Sequence, residues 1–303
     1  MTSPASAEQQ IQAGPPPWFR AALEARVEAG SVAVDGTPIS YRAFGGQTDS
    51  GIVLVHGGAA HARWWDHIAP LLARGTRVVA FDLSGHGDSG RRDVYTLDHW
   101  AHEVLAVAGA AGITSPPIVI GHSMGGFVAL RVAGLYGSRI EGVVVIDSPV
   151  RDITPEEQAA RDQRAFGPLR VYPTREDAIA RFHPIPDQPT LPYITAHVAA
   201  TSIRQVDGGW SWKFDPRVFG RPPLTPALLT RFDCRVALFY AEHGIVSPQT
   251  SELMYDRLGR RAPLIEIPVA GHHVMLDHPI ALVTGIRTLL ADWEHSTPAS
   301  KHS

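Results

Sequence analysis

The sequence predicts a doubly wound α/β fold, and two observations carry that prediction. Short, continuous apolar runs such as Ile52–Val55 and Val143–Ile146 are typical of strands that a parallel sheet buries on both faces. These runs alternate with longer amphipathic stretches of helical periodicity. Regular alternation of strands and helices implies right-handed crossovers, and therefore a sheet covered by helices on both faces.

The alternation can be followed element by element from the N-terminus. A helix is predicted over Trp18–Ala29, and the strands Val32–Val34 and Ile39–Phe44 follow it around the dipeptide Asp35-Gly36, which is a hairpin signal. The next predicted elements are, in chain order, the strand Ile52–Val55, the helix Trp64–Ala73, the strand Arg77–Asp82, the helix Leu97–Gly109, the strand Ile118–Ile120, the helix Met124–Tyr136 and the strand Val143–Ile146.

The alternation stops between residues 149 and 223, a proline-rich stretch. The helical pieces predicted within it are Pro155–Phe166, Arg175–Phe182 and Ile194–Arg204. Beyond it the alternation resumes with the strand Val236–Tyr240, the helix Pro248–Leu258, the strand Leu264–Ile267 and the helix Pro279–Trp293.

This interruption predicts the domain organisation. We expect one α/β core made of residues 18–148 and 224–296, with residues 149–223 inserted as a helical cap. Residues 1–17 are polar and rich in alanine, serine and proline, so they are predicted to be a disordered tail. Residues 297–303 are predicted to be a loose C-terminus.

Composition and charge argue against several classes of partner. The 303-residue chain has a formal net charge of −3, which predicts no strong attraction to nucleic acid or to an anionic membrane. The N-terminal residues lack the basic start and apolar stretch of a secretory signal, so none is expected, and no apolar run is as long as a membrane span. The single cysteine, Cys234, excludes an intrachain disulfide and fits a cytoplasmic location. A small-molecule substrate is therefore the expected partner, and the oligomeric state is left open.

The strongest functional signal is Gly121-His122-Ser123-Met124-Gly125, a G-x-S-x-G motif. An apolar strand precedes the motif and a helix-forming run of small residues follows it, which is the context that gives the motif its meaning. The two glycines leave room for neighbouring backbone, so the Ser123 hydroxyl is exposed at the end of the strand. The N-terminus of the following helix favours developing negative charge there. We predict Ser123 to be a nucleophile.

A serine hydroxyl is a weak nucleophile unless a base removes its proton. The candidate base is His272, which follows the last predicted strand after Gly271. Reactive groups gather at the carboxyl ends of strands in an open parallel sheet, so Ser123 and His272 are expected to converge. His273 is the rival, but neighbouring side chains on an extended loop point apart, so only one can face Ser123.

The histidine needs a carboxylate that accepts a hydrogen bond from its Nδ1–H and fixes the tautomer. Asp147 and Glu242, at the ends of the two strands that follow the nucleophile strand, are the candidates. An oxyanion hole needs backbone N–H donors as well. We expect them from Met124, directly after the nucleophile, and from Gly58 in the glycine-rich loop after Ile52–Val55.

Four motifs in order resemble the α/β-hydrolase superfamily: HGG at 56–58, FDLSGHGDS at 81–89, GHSMGG at 121–126 and GHHVMLDHP at 271–279. The resemblance implies an α/β-hydrolase fold with about eight mostly parallel strands, a serine hydrolase activity and a helical cap over the site. It also implies the roles given above to Ser123, His272, Gly58 and Met124. The segment 81–89 resembles a structural loop of the family, so its Asp82, His86 and Asp88 are expected to shape the loop.

The chain departs from the family pattern at one position. The family usually places its catalytic acid in a segment resembling G-x-x-D-x-x-x-P after the penultimate strand, and here the corresponding residue is Gly244. Some members carry the acid one strand earlier, where Asp147 stands. We therefore expect Asp147 to orient His272, with Glu242 as the alternative acid.

The predicted function is a serine hydrolase that cleaves an ester, thioester or lactone of a small, largely apolar substrate through an acyl-enzyme. Trp64, Trp210 and Trp212 are candidate substrate-binding residues, although a small cap also needs aromatic residues for its own core. The alternatives are a receptor-like ligand-binding member with little turnover, or a C–C bond hydrolase or perhydrolase that uses the same serine. The histidines show no metal-ligand spacing such as H-E-x-x-H, so neither a metal nor a cofactor is expected.

Overall fold

Within the described residues, which are 14–166, 168–220 and 225–296, the computed structural model contains one eight-stranded sheet and one small hairpin. The strands of the large sheet are β1 (Glu28–Val34), β2 (Thr37–Phe44), β3 (Gly51–Val55), β4 (Arg77–Phe81), β5 (Ile118–His122), β6 (Gly142–Ile146), β9 (Arg235–His243) and β10 (Leu264–Gly271). The strands of the hairpin are β7 (Ile203–Val206) and β8 (Gly209–Trp212).

The order of the large sheet is β1-β2-β4-β3-β5-β6-β9-β10. The pairs β1–β2 and β2–β4 are antiparallel, and every other neighbouring pair is parallel. β5 therefore lies near the middle, with its carboxyl end on the same edge as those of β3, β6, β9 and β10. The loops at this edge carry the residues that the sequence marks as reactive.

Some helices cover the two faces of the sheet, and others lie in the segment between β6 and β9. The helices are α1 (Pro17–Leu23), α2 (Ala69–Leu72), α3 (Leu97–Ala110), α4 (Met124–Tyr136), α5 (Pro155–Phe166), α6 (Arg175–Ile179), α7 (Pro192–Thr201), α8 (Pro248–Arg257), α9 (Val274–Asp277) and α10 (Pro279–His295). Short 3₁₀ helices cover Ala62–Trp65, Gly137–Arg139, Pro216–Gly220 and Pro226–Leu228.

The core has two halves, one on each face of the sheet. Val53 and Val55 of β3 pack into the half that contains α3 and α4, while Ile52 and Leu54 pack into the half that contains α1 and α10. A strand buried on both faces needs a continuous apolar run, which explains the composition of β3. The predicted doubly wound α/β fold is confirmed.

The predicted hairpin at Asp35-Gly36 is confirmed. Val34 pairs with Thr37, so these two residues form the whole loop. Asp35 has φ of 48° and Gly36 has φ of 76°, the pair of positive values that a type I′ turn requires.

Two predicted helices differ from the structure. The first ends at Leu23 instead of Ala29, because residues from Glu28 onward pair with β2 and are drawn into the sheet. The predicted helix Trp64–Ala73 is two short helices, Ala62–Trp65 and α2. Pro70 stands in the first turn of α2, where a missing N–H costs no hydrogen bond, and so it favours a new start there.

The segment between β6 and β9 contains three helices, α5 to α7, near the predicted positions, but also the β7–β8 hairpin, which was not predicted. Val206 pairs with Gly209 around the two-residue loop Asp207-Gly208. This loop carries the same Asp-Gly signal as the first hairpin, and the helical interpretation of Ile194–Arg204 overlooked it. The ends of the chain, residues 1–13 and 297–303, lie outside the described residues, and so does the boundary at 221–224.

Among the helices that the structure describes, none has both the length and the apolar character that crossing a membrane requires.

A buried ion pair holds the loop that follows β4. Arg92 donates from Nε and Nη2 to Glu103 Oε1 at 3.1 and 3.0 Å, and Glu103 Oε2 accepts the Ser84 N–H at 2.9 Å. The Glu103 side chain is fully buried. Arg92 also donates to the Val34 carbonyl at 2.8 Å, which ties the loop to the edge of the sheet.

We expect Glu103→Ala to destabilise the fold by about 3–5 kcal/mol, because it leaves the Arg92 guanidinium buried without its partner. Chemical denaturation followed by circular dichroism measures the change. Glu252→Ala is the matched control, since it removes a glutamate from an exposed pair with Arg260 and should leave the denaturation midpoint unchanged. Equal effects of the two substitutions would contradict a stabilising role for the buried pair.

Candidate active site

A strained turn after β5 presents Ser123. This residue has φ of 53° and ψ of −117°, and its N–H donates to the Ile146 carbonyl at 2.9 Å. A Cβ at Gly121 would lie 2.0 Å from the Gly125 carbonyl oxygen, and one at Gly125 would lie 2.3 Å from the Val55 carbonyl oxygen. The turn is therefore possible only with glycine at both flanking positions, which is the steric reason for the motif.

His272 follows β10 and reaches Ser123 across the edge of the sheet. Its Nε2 lies 3.1 Å from Ser123 Oγ, although the two residues are 149 positions apart in the chain. The imidazole is buried, with a relative exposure of 3% for the residue. This distance allows the serine hydroxyl to donate its proton to the ring nitrogen.

Asp147 lies behind His272 and completes the chain of contacts. Its Oδ2 is 2.7 Å from His272 Nδ1 and also accepts the Ile245 N–H at 2.9 Å, while Oδ1 accepts the Ala241 N–H at 3.3 Å. The aspartate is fully buried and has φ of 43°, at the sharp exit from β6. Because a carboxylate only accepts, His272 must carry a proton on Nδ1, and in that tautomer of the neutral ring the lone pair lies on Nε2.

Gly244 explains how Asp147 fits here. A Cβ placed on Gly244 would lie 2.4 Å from both carboxylate oxygens of Asp147. The aspartate side chain from β6 therefore occupies the space that a side chain from position 244 would need. The alternative acid, Glu242, is exposed and points elsewhere, with Oε2 accepting the Val269 N–H at 2.7 Å.

The glycine loop after β3 lies against the nucleophile. A Cβ on Gly57 would lie 3.4 Å from Ser123 Cβ, and one on Gly58 would lie 3.8 Å from Met124 Sδ. The structure thus places Gly58 beside the Met124 side chain, in a loop that contacts Ser123. Met124 is the first residue of α4, where a backbone N–H has no partner within the helix.

His56 anchors this loop, a role that the sequence analysis did not assign. Its Nδ1–H donates to the Gly57 carbonyl at 2.7 Å, and its Nε2 accepts the Leu83 N–H at 3.1 Å. Burial lowers the pKa of His56 to about 4, so the ring is neutral at pH 7 and keeps both bonds.

Asp82, expected to shape the neighbouring loop, accepts hydrogen bonds from the N–H groups of Ala62 and Asp88 at 2.7 and 2.8 Å.

Two further histidines pack around His272. The Nε2–H of His122 donates to the His272 carbonyl at 2.8 Å, and the Nε2–H of His273 donates to the Ile185 carbonyl at 3.1 Å. Burial lowers the pKa of His273 to about 3, with the neighbouring His272 adding to the effect. The ring that bonds to Ser123 is His272, whereas the rival His273 bonds to the Ile185 carbonyl. The two rings nevertheless stay close, with centres 4.6 Å apart, so the expectation that these neighbouring side chains point apart does not hold.

The three candidate substrate-binding tryptophans lie in different surroundings. Trp64 is buried against His273 and Phe182, at ring-centre distances of 5.5 and 6.1 Å. Trp212 contacts Phe182 on its other side, at 6.2 Å. Trp210 packs against a small cluster within the 149–223 segment, and no described contact joins it to Ser123 or His272.

Phe219 was not a candidate substrate-binding residue in the sequence analysis, but its ring contacts the glycine loop. A Cβ on Gly58 would lie 3.1 Å from Phe219 Cε1. The residue belongs to the 3₁₀ helix Pro216–Gly220, beyond the second hairpin. The 149–223 segment contains several aromatic residues, so nothing in the sequence distinguished Phe219 from the others.

A surface groove of about 610 Å³ lies elsewhere on the 149–223 segment. Arg91, Arg204 and Arg217 line it, and Ser123, His272 and Asp147 do not. The hydrogen-bonded chain of three residues, and not the size of this groove, identifies the candidate active site.

A sheet of this topology, with a serine on a strained turn after β5 and a histidine after β10, defines the α/β-hydrolase class of folds. Comparison with protein families agrees, since residues 52–285 match the model described as "Alpha/beta hydrolase family". The chain belongs to this family. Both the family and the fold predicted from the four motifs are confirmed.

Named relatives include several esterases. An esterase of Mycobacterium tuberculosis is 25% identical over 94% of this chain and 93% of its own length. Methylesterase 9 of Arabidopsis thaliana is 36% identical over 34% of this chain and 41% of its own length. The dihydrolipoyllysine-residue acetyltransferase component of the acetoin cleaving system of Pseudomonas putida is 37% identical over 80% of this chain. This chain spans only 64% of that relative's length.

Solved structures give the same fold. The hypothetical protein PA1622 of Pseudomonas aeruginosa is 26% identical, with a TM-score of 0.73 over 89% of this chain and 100% of that one. E-2-(acetamidomethylene)succinate hydrolase is 19% identical, with a TM-score of 0.75 over 88% of this chain and 100% of that one, a likeness of fold alone.

We expect Gly244→Ala to displace the Asp147 carboxylate from His272, because the added methyl group would overlap both carboxylate oxygens. Reaction of Ser123 with a fluorophosphonate probe should then slow by about ten-fold or more, as the imidazole loses its orienting partner. Gly46→Ala is the control, since nothing lies within 4 Å of a Cβ at that exposed glycine. Unchanged labelling of the Gly244→Ala protein would show that the site tolerates a shifted aspartate.

Proposed function

We propose that the chain hydrolyses carboxylic esters through an acyl-enzyme formed on Ser123. The Ser123 oxygen attacks the carbonyl carbon while His272 Nε2 takes the hydroxyl proton, giving a tetrahedral intermediate. Its oxyanion is stabilised by the N–H groups of Gly58 and Met124. As the C–O bond to the leaving alcohol breaks, His272 returns the proton to that oxygen. Water repeats the sequence and releases the acid.

One observation carries this proposal: the unbroken hydrogen-bond chain Ser123–His272–Asp147, with contacts of 3.1 and 2.7 Å. A serine hydroxyl next to an imidazole that a buried carboxylate orients is the arrangement that activates serine for acyl transfer. The esterases among the relatives support a substrate of ester type. Thioesters and lactones would enter by the same steps.

The receptor-like alternative had one supporting feature, the absence of an acid at position 244. That support weakens, because Asp147 supplies a carboxylate in the volume next to Gly244. We therefore favour an enzyme over a ligand-binding receptor as the proposed function. The segment 149–223 is proposed as the cap of the site, with Trp64 and Trp212 at its apolar side. The small-molecule substrate and the cytoplasmic location stay predictions.

The proposal predicts the behaviour of four proteins on p-nitrophenyl acetate and butyrate. Relative to wild type, Ser123→Ala should lose about 10³-fold or more in kcat. Asp147→Asn should lose about 10²–10⁴-fold, since the amide NH2 can favour the wrong tautomer of His272 and the neutral amide cannot stabilise the imidazolium. Glu242→Gln should stay within about two-fold of wild type, because its carboxylate bonds to the Val269 amide.

The outcomes separate the alternatives. If Glu242→Gln were the inactive variant instead of Asp147→Asn, the orienting acid would be Glu242. If wild type matched Ser123→Ala on both esters and its serine did not react with a fluorophosphonate, ester hydrolysis would be the wrong function and ligand binding would lead. Each variant is compared with wild type in thermal unfolding, so that loss of fold is not mistaken for loss of chemistry.

A second prediction concerns the length of the acyl chain. Phe219 lies against Gly58, so its ring should limit the space beside the reacting carbonyl. We expect Phe219→Ala to raise the ratio of kcat/KM for hexanoate over acetate by about five-fold or more, since each buried methylene contributes about 0.8 kcal/mol. Trp210→Ala, in the small cluster of the cap, is the control and should leave the ratio unchanged.

A further inference from the structure

Three imidazole rings meet at the candidate active site. The ring centres of His122 and His272 are 4.7 Å apart, those of His272 and His273 are 4.6 Å apart, and those of His122 and His273 are 5.6 Å apart. One nitrogen of each ring lies within 4.8 Å of one nitrogen of each of the others. All three residues are buried, with relative exposures of 1%, 3% and 7% for His122, His272 and His273.

Hydrogen bonds fix which nitrogen of each ring carries a proton. His122 donates from Nε2 to the His272 carbonyl, His272 donates from Nδ1 to Asp147, and His273 donates from Nε2 to the Ile185 carbonyl. Each ring therefore keeps one unprotonated nitrogen. The Nδ1 of His273 has no partner within the described residues, although it is buried.

This pattern is the one that metal-binding histidines show. A ligating imidazole almost always donates its other N–H to a carbonyl or a carboxylate, which fixes the tautomer and raises the basicity of the ligand. Here all three rings already make that outer bond, two to carbonyl oxygens and one to Asp147. The unpartnered buried nitrogen of His273 is a further sign that the cluster can accept a ligand.

We propose that His122, His272 and His273 bind a divalent transition-metal ion of the kind that prefers imidazole, such as Zn²⁺, and that the bound ion inhibits the enzyme. Three neutral nitrogen ligands and no carboxylate oxygen favour Zn²⁺, Cu²⁺ or Ni²⁺ over Mg²⁺ and Ca²⁺. Ser123 Oγ, 3.1 Å from His272 Nε2, is the candidate for a fourth ligand.

The fit requires a modest adjustment of the rings. Tetrahedral Zn–N bonds of about 2.0–2.1 Å place ligand nitrogens about 3.4 Å apart, so nitrogens as far apart as 4.8 Å must approach by up to about 1.4 Å. The ligating Nδ1 of His273 has no hydrogen bond to lose within the described residues, so this ring can shift most easily, provided that its Nε2–H keeps the bond to the Ile185 carbonyl.

Inhibition is expected because a metal ion and the Ser123 proton would compete for the same lone pair on His272 Nε2. A metal ion on His272 Nε2 takes the electron pair that would otherwise accept the Ser123 proton. Only this second half rests on the proposed function, since the binding of the ion does not depend on ester hydrolysis.

Isothermal titration of Zn²⁺ into the metal-free full-length protein tests the site without an activity assay. We expect one saturable site per chain in wild type and an affinity lower by about ten-fold or more in His273→Gln. His102→Gln is the matched control, since His102 is an exposed histidine on α3 and its removal should change the affinity by less than about two-fold. Zn²⁺ that binds only weakly, or equally to the two variants, would overturn the site.

Co²⁺ gives a readout that needs no variant and so survives a failure of His273→Gln to fold. Ligand-field absorption typical of a four-coordinate nitrogen site is expected with wild type, and its absence would overturn the proposal. With p-nitrophenyl butyrate, Zn²⁺ should inhibit at the concentration that fills the site, and a chelator should restore the rate. Saturation without inhibition would refute the inhibitory role. Binding by a chain without any esterase activity would refute the proposed function and leave the metal site intact.

Discussion

The hydrogen bond between Asp147 and His272 is the contact on which the rest of the site depends. It is short, 2.7 Å, and its carboxylate is held in a fully buried place by backbone N–H groups of Ala241 and Ile245. A buried carboxylate is stable only when its oxygens are satisfied, and here the end of β9 and the loop after it supply the donors. Because β6, β9 and β10 are neighbours in the sheet, one side chain links the ends of all three strands.

Much of this arrangement could be predicted from local patterns. Three features depend only on residues close together in the chain, so local sequence patterns predict them. They are the apolar runs of β3 and β6, the Asp35-Gly36 hairpin and the serine motif. Strand order left Asp147 and Glu242 as candidates for the acid, and the preference for Asp147 came from the family resemblance together with the glycine at 244. The geometry that explains the glycine, a carboxylate entering its space from another strand, could not be read from the sequence.

What escaped prediction depends on distant contacts or on a competing pattern. His122 meets His272 across 150 positions of sequence, so no spacing rule could join them. The loop bonds of His56 to Leu83 and the position of Phe219 over Gly58 are likewise set by packing. The β7–β8 hairpin is different, because its Asp207-Gly208 signal was present and helical periodicity upstream of it was favoured instead.

The overlap between position 244 and the Asp147 carboxylate also constrains how such a site can change over generations. Two aspartates, one on each loop, would compete for a single volume and would have to share a proton, since like charges at such short range cannot both ionise. A variant with an aspartate at both positions would therefore be destabilised, so the catalytic acid cannot be exchanged between the two strands through such an intermediate. A lineage that exchanges its acid must instead pass through an empty position. A glycine at position 244 is thus the residue that leaves room for the Asp147 carboxylate.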